Sequence, residues 1–211
     1  MVKIPERRDY PDKPMRKSSL LTNPFDQFRL WVEEAVEKKV LEPNAMVLAT
    51  VSKEGRPSSR TVLFKEVDEQ GLVFYTNTQS YKAHDIANNP WGSLTIVWLE
   101  FPRQILITGK IEAVDREKAK VYFSKRPRKS QIAAAASKQG EVLTSREELE
   151  EKFLEIEKQY ENQEIPMPED WGGYRVIPET FEFWSGRQDR MHDRFLYIQE
   201  GDKWVIKRLS P

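Results

Sequence analysis

Three stretches of this 211-residue chain gather cations with hydroxyl or titratable side chains. The first is Arg60-Thr61-Val62-Leu63-Phe64-Lys65, rich in β-branched and aromatic residues and therefore strand-like. Alternation predicts that Arg60 and Thr61 face opposite ways while Arg60 and Phe64 share a face. The second is Tyr122-Phe123-Ser124-Lys125-Arg126-Pro127-Arg128-Lys129-Ser130. Tyr122 and Arg126 lie one helical turn apart, Pro127 forces the backbone out of the helix, and Ser130 falls where a new helix begins. A guanidinium fork, two hydroxyls and the N–H groups of a helix start make a phosphate cup. The third, Trp184 to Phe195, crowds Arg187, Arg190, Arg194 and His192 into a connection between strands, where site residues tend to sit. Taken singly, each has a plainer reading: a half-exposed strand, a solvated basic turn, a structural ion-pair network. A nucleic-acid patch is the rival functional reading of the second.

The elements that must position these residues follow from periodicity. Residues 1–22 mix charge with Pro11 and Pro14 and show neither helical nor strand period, which predicts an arm that is flexible unless something pins it. Asn23 as cap, Pro24 at the first helical position, and Phe25, Phe28, Val32, Ala35 and Val36 at helical spacing predict an amphipathic helix running until Pro43 forbids continuation. Ala45 to Val51, Ser59 to Val67 and Leu72 to Thr76 predict antiparallel strands on short turns; a helix from Ser80 to Asn88 then leads to strands Ser93 to Leu99 and Gln104 to Val114. Five strands with one helical insertion suggest a curled sheet or barrel. A helix from Arg116 to Lys125, a second capped by Ser130, and a third opened by the capping box Ser145-x-x-Glu148 and running to about Tyr160 follow. Strand-like pieces return at Tyr174 to Ile177, Phe181 to Trp184, Phe195 to Gln199 and Trp204 to Leu209. With no internal repeat and no glycine-rich phosphate loop, the class is α+β, residues 23–211 forming one domain.

Composition limits the function classes. Lys and Arg total 34, as do Asp and Glu, so no global field draws the chain to nucleic acid or an anionic membrane, and any anion site must be local. The absence of cysteine removes disulfides, thiolate catalysis and Cys-ligated metal centres, and no metal site is expected. Residues 1–17 lack the apolar segment of a secretory signal, and no apolar run reaches the roughly 18 to 20 residues of a membrane span; a soluble cytoplasmic protein is the expectation.

The three cation stretches belong to a longer ordered series: Phe74-Tyr75-Thr76-Asn77, Lys82-Ala83-His84, Arg103-Gln104, Tyr122-Phe123-x-x-Arg126-Pro127-Arg128-x-Ser130-Gln131-Ile132, Ser137-Lys138-Gln139, Trp171-Gly172-Gly173-Tyr174-Arg175-Val176, Phe183-Trp184 and Arg190-x-His192-Asp193-Arg194. From about Phe25 to Pro211 the chain closely resembles pyridoxamine 5′-phosphate oxidases, and Arg7-Arg8-Asp9-Tyr10 resembles the substrate-contacting N-terminal segment of that family. The resemblance implies an FMN-binding split β-barrel, a homodimer with each flavin between two subunits, and oxidation of pyridoxamine or pyridoxine 5′-phosphate by dioxygen to pyridoxal 5′-phosphate. It assigns Arg60, Thr61, Val62, Leu63, Phe64, Lys65, Tyr75, Thr76, Tyr81, Lys82, Gln104, Gln139, Gly140, Trp184 and Arg194 to the FMN site. Lys65, Tyr122, Arg126 and Ser130 are assigned to the substrate phosphate, Arg190, Met191 and His192 to the rest of the substrate, with Arg190 and His192 nearest the chemistry, and Arg7, Arg8, Asp9 and Tyr10 to a covering arm.

Two positions depart from the family pattern: Tyr81 stands where an arginine is usual and Gly140 where a serine is usual. The first removes a cation, the second a hydroxyl. A non-catalytic FMN or pyridoxal phosphate carrier on the same barrel is the alternative, and a flavin or deazaflavin reductase is a third reading that the complete phosphate cup disfavours.

Overall fold

Alternation along β1 (Ala45–Val51) turns Met46, Leu48 and Thr50 inward and leaves Val47 exposed on the opposite face. The same rule buries Leu94, Ile96 and Trp98 of β4 (Trp91–Trp98) and Ile105, Ile107 and Ile111 of β5 (Arg103–Ala113). With β2 (Pro57–Asp68), β3 (Gly71–Asn77) and β6 (Trp171–Ser185), these strands run antiparallel in the order β3-β2-β1-β4-β5-β6. Pairing of β3 with β6, Leu72 opposite Val176 through Asn77 opposite Trp171, closes six strands into a barrel. Closure removes the free edges an open sheet would present. β7 (Asp193–Glu200) and β8 (Lys203–Leu209) extend the sheet beyond β6. The computed structural model describes residues 9, 10 and 12–211.

Helix α1 (Pro24–Glu37) starts where Asn23 accepts a hydrogen bond from the Phe25 N–H. It packs Phe25, Phe28 and Trp31 against Phe181 and Phe183 of the barrel interior, with ring centroids 5.0 to 6.5 Å apart. It stops at Glu37 instead of running to Pro43: Lys39 adopts φ 55°, a left-handed conformation that ends a helix whatever lies further on. A second, smaller core of Ala119, Phe123, Ile132, Ile165 and Trp171 seats α3 (Arg116–Ser124) and α4 (Arg128–Ala136) on the outside of the barrel. The charged α5 (Arg146–Gln159) lies against α4, and α2 (Tyr81–Asn88) lies beside β1.

Three local expectations need correction. Ser130 does not cap α4: Pro127 is the N-cap and Ser130 lies within the first turn, its N–H donating to the Pro127 carbonyl. Of the capping box, the Ser145 hydroxyl does accept from the Glu148 N–H, but the Glu148 carboxylate is taken by Thr144 and Lys152. The pieces 174–177 and 181–184 form one continuous strand, carried past Pro178 by an irregularity in register between Thr108 and Gly109 of its neighbour β5. The arm is pinned where it is described. The Met15 N–H donates to Asp193, the Tyr197 hydroxyl donates to the Leu21 carbonyl, and Met15 and Leu20 pack on the core.

Candidate functional site

An open cleft of about 1240 Å³ lies against β2, between α2 and the α3–α4 turn. Arg60, Thr61, Val62, Leu63 and Lys65 line one side, Tyr75, Thr76, Tyr81, Lys82, Gln139 and Gly140 another, and Tyr122, Arg126 and Ser130 a third. Phe64 does not reach it; alternation sends its ring into the core, 5.5 Å from Phe28.

Two cationic centres share this cleft. In one, Arg60 Nη1 donates to the Thr50 hydroxyl at 2.7 Å and Nη2 to the Ser58 hydroxyl at 2.6 Å, and both hydroxyls donate onward to Asp85 Oδ2 at 2.6 and 3.0 Å. The hydroxyl protons are committed to the carboxylate, so their lone pairs hold the guanidinium in place. Beside it, buried Lys82 donates to Thr76 Oγ1, Ser80 Oγ and Gln139 Oε1 at 2.9 to 3.1 Å. Burial, with repulsion from Arg60, pushes its pKa down to about 8. These ligands are neutral, and the N-terminus of α2 adds a positive dipole end. The donor set fits the phosphate of a flavin mononucleotide.

The other centre is built on stacked aromatics. Tyr75 and Tyr122 lie 4.0 Å apart and within 4° of parallel, and the Trp171 ring is nearly parallel to both, 5.5 Å from Tyr75 and 6.2 Å from Tyr122. The Arg126 guanidinium sits 5.0 Å from the Trp171 ring centroid, and its Nη1 is buried without a hydrogen-bond partner among the described residues. A buried guanidinium N–H lacking an acceptor is costly, and an anion in the cleft relieves that cost. Burial lowers the Arg126 pKa and raises that of Tyr122, each opposed by the neighbouring pair partner among its causes.

The remaining site expectations fall elsewhere on the protomer. Gln104 of β5 pairs in register with Trp184, and Trp184 with Arg194. His192 lies 4.7 Å from the Trp184 ring, its Nδ1 accepting from the Arg187 N–H, and Tyr10 of the arm makes edge contacts with both rings at 5.8 to 5.9 Å. Arg190 and its neighbour Asp189 both have positive φ, 59° and 53°, an uncommon conformation that gathers at functional turns. Met191 is exposed, and Arg194 pairs with Glu182 at 2.7 Å. Arg7 and Arg8 lie outside the described residues; Asp9 is described and exposed. None of the described residues among these lines the cleft. Sequence reasoning missed the supports: Asp85, Thr50 and Ser58 behind Arg60, and Glu66, which accepts from the Tyr75 hydroxyl at 2.7 Å. For Asp85 a signal existed, three residues after Lys82 on one helix.

Comparison with known proteins agrees with this geometry. Residues 32–160 match the family model described as pyridoxamine 5′-phosphate oxidase, and residues 171–211 match the pyridoxine 5′-phosphate oxidase C-terminal dimerisation region. Curated relatives bearing the name pyridoxine/pyridoxamine 5′-phosphate oxidase include one from a Cyanothece strain, 44% identical over 97% of this chain and 96% of its own. Another, from Rippkaea orientalis, is 48% identical over 97% of both chains. Among solved structures, PhzG of Burkholderia lata in complex with tetrahydrophenazine-1-carboxylic acid superposes with a TM-score of 0.89 at 28% identity, covering 95% of this chain and 99% of that one. A pyridoxamine 5′-phosphate oxidase-related, FMN-binding protein of Nostoc punctiforme, at 18% identity, shares the fold with a TM-score of 0.70 over 87% of this chain and 97% of its own. The chain therefore belongs to the pyridoxamine 5′-phosphate oxidase family.

Proposed function

We propose that this protein oxidises pyridoxamine 5′-phosphate and pyridoxine 5′-phosphate to pyridoxal 5′-phosphate with FMN as its cofactor, an activity that belongs to cofactor synthesis or salvage. The observation that carries the reading is the pair of cationic centres in one cleft, Arg60 with Lys82 and Arg126 with Tyr122. A flavin mononucleotide and a phosphorylated substrate bring two phosphates, and each centre suits one. FMN, when bound, would supply the hydride acceptor, with dioxygen taking up the two electrons and two protons as hydrogen peroxide. The residues bind and orient: Lys65, Tyr122, Arg126 and Ser130 anchor the remote phosphate, which restricts the carbon to be oxidised to a small volume. The amine substrate also consumes water and releases ammonia, whereas the alcohol releases neither.

The reading also needs a second copy of the chain. Gln104, Trp184, Arg190, His192 and Arg194 lie away from the cleft, yet one outward row of the barrel, Thr61, Val47, Thr95, Leu106 and Glu182 in register, joins the two regions. Val47 and Val97 on that face are exposed apolar residues. A dimer packed there covers the valines and sets one subunit's Trp184–Arg194 segment against its partner's cleft. The match of residues 171–211 to a dimerisation region supports this assembly.

The test is the visible spectrum of the purified flavoprotein before and after anaerobic addition of pyridoxine 5′-phosphate. Bleaching of the flavin band, with recovery and peroxide on admitting air, is the expected result. A bound flavin that does not bleach with either substrate refutes oxidation and leaves a carrier.

A further inference from the structure

Strand alternation alone would bury Glu66 in the barrel with Phe64, two residues before it. It does not lie there. Phe64 pairs with Phe74 but Glu66 pairs with Val73, so Lys65 is the extra residue of a bulge and Glu66 emerges on the outer face of the sheet. On that face its two oxygens serve two elements. Oε1 accepts from the Tyr75 hydroxyl of β3 at 2.7 Å, and Oε2 meets the Lys118 ammonium of α3 at 2.7 Å. Lys118 precedes Tyr122 by four residues, one turn of the same helix, so both point toward the sheet. The Tyr75 ring, fixed at its hydroxyl by Glu66, is the surface on which the Tyr122 ring stacks at 4.0 Å. Asp68, 4.0 Å from Lys118, is engaged by Arg175 at 2.6 Å, which leaves Glu66 as the nearer carboxylate for Lys118.

We infer that Glu66 is a positioning residue for the substrate: by tying Tyr75 to Lys118 it sets the rotation of α3 about its axis and holds Tyr122 in the phosphate cup. This rests on the reading of Lys65, Tyr122, Arg126 and Ser130 as the substrate's phosphate site. A carboxylate near a site for a dianion would by itself repel the ligand, and its retention there is explained by the two donors it joins. Glu66 does not line the cleft, so it acts through the tyrosines and touches neither substrate nor cofactor.

The test uses the FMN-loaded protein with Glu66→Ala, Glu66→Gln and Lys118→Met, and Arg126→Lys as a control for the cup itself. Measured are kcat and KM for pyridoxine 5′-phosphate, equilibrium binding of pyridoxal 5′-phosphate, FMN dissociation by fluorescence, and the thermal midpoint. Glu66→Ala is expected to raise KM and the pyridoxal phosphate Kd about five- to tenfold while kcat and FMN affinity stay within about twofold, as when binding weakens equally in the ground and transition states. Glu66→Gln keeps an acceptor for Tyr75 and loses the ion pair, so it falls between wild type and Glu66→Ala; Lys118→Met does the same from the helix side. Should Glu66→Ala fold poorly, these two milder variants carry the test. An unchanged KM in all three, with Arg126→Lys raising it, overturns the inference and leaves the cup standing. An unchanged KM in Arg126→Lys removes the cup. A loss of FMN affinity parallel to the rise in KM would mean that Glu66 acts through Tyr75 in the FMN role that the family resemblance gives it, and would overturn the substrate-positioning role.

Discussion

Lys82 is the side chain whose titration the structure ties most directly to the proposed cofactor. Burial and Arg60 hold its pKa down at about 8, and an adjacent phosphate dianion favours the ammonium and raises that value. Binding therefore takes up protons above the depressed pKa. Affinity is fully present at lower pH and falls as pH rises through about 8 toward the raised pKa of the complex. Flavin-fluorescence titrations between about pH 7, above the phosphate pKa near 6, and about pH 9.5 are expected to show this decline, and Lys82→Met to flatten it. A wild-type affinity constant over that window would show that Lys82 does not meet the phosphate. Tyr81 offers a second test in the same place. Its exposed ring rests 3.3 Å from where a Cβ would stand on Gly140, so the two departures from the family pattern touch: the glycine leaves room for the ring. Tyr81→Arg adds a cation at the rim and is expected to tighten FMN by up to about 1.5 to 3 kcal/mol, the range of a charge-assisted bond, with the gain shrinking in salt. Equal affinity at low salt would place the new guanidinium in solvent.

At the level of elements, two irregularities in strand pairing shape the site and the wall behind it. The bulge at Lys65 aims one residue at the cleft and the next at α3. The shift between Thr108 and Gly109 lets β6 pass Pro178, and a Cβ on Gly109 would lie 1.9 Å from the Ile177 carbonyl oxygen. No side chain fits there without moving one strand. Gly109→Ala is expected to cost about 1 to 3 kcal/mol or more, as overpacking against backbone does, and to lower the thermal midpoint without altering substrate KM. A midpoint equal to wild type would mean that the strands separate at this point without penalty. The helices contribute differently. α3 and α4 meet at Pro127, and the turn between them presents Arg126 because the proline ends one helix and begins the next.

For the whole molecule, the decisive fact is that one protomer carries two separated parts of the expected site. The exposed Val47 and Val97 mark the face between them. Val47→Asp with Val97→Asp puts two charges where a partner would exclude water, and burial of an unpaired carboxylate costs several kcal/mol. Sedimentation is expected to show the variant as a monomer, with flavin released on purification because mass action ties cofactor to assembly. A dimer that survives both substitutions would place the interface on another face, and a monomer with full flavin occupancy would mean that the cleft is complete within one chain.

Much of this protein was legible in its residues taken in order. Local periodicity determined most strands and helices, since Val, Ile and Phe at alternate positions and Phe25, Phe28 and Ala35 at helical spacing leave few ways to hide apolar surface. The ordered motifs from Arg60 to Arg194 identified the family, and the family carried the fold and the cofactor with it. What depended on contacts between distant segments was not legible. The end of α1 at Glu37 and the unbroken β6 were decided by backbone conformations set in tertiary context. The bulge that turns Glu66 outward brings it to Tyr75 and Lys118, residues 9 and 52 positions away on β3 and α3. The same holds for the two cationic centres. A sequence shows that Arg60, Lys82 and Arg126 are present, but whether they converge is a property of barrel closure, because only the closed register brings β2, α2 and the Pro127 turn to the rim of one cleft.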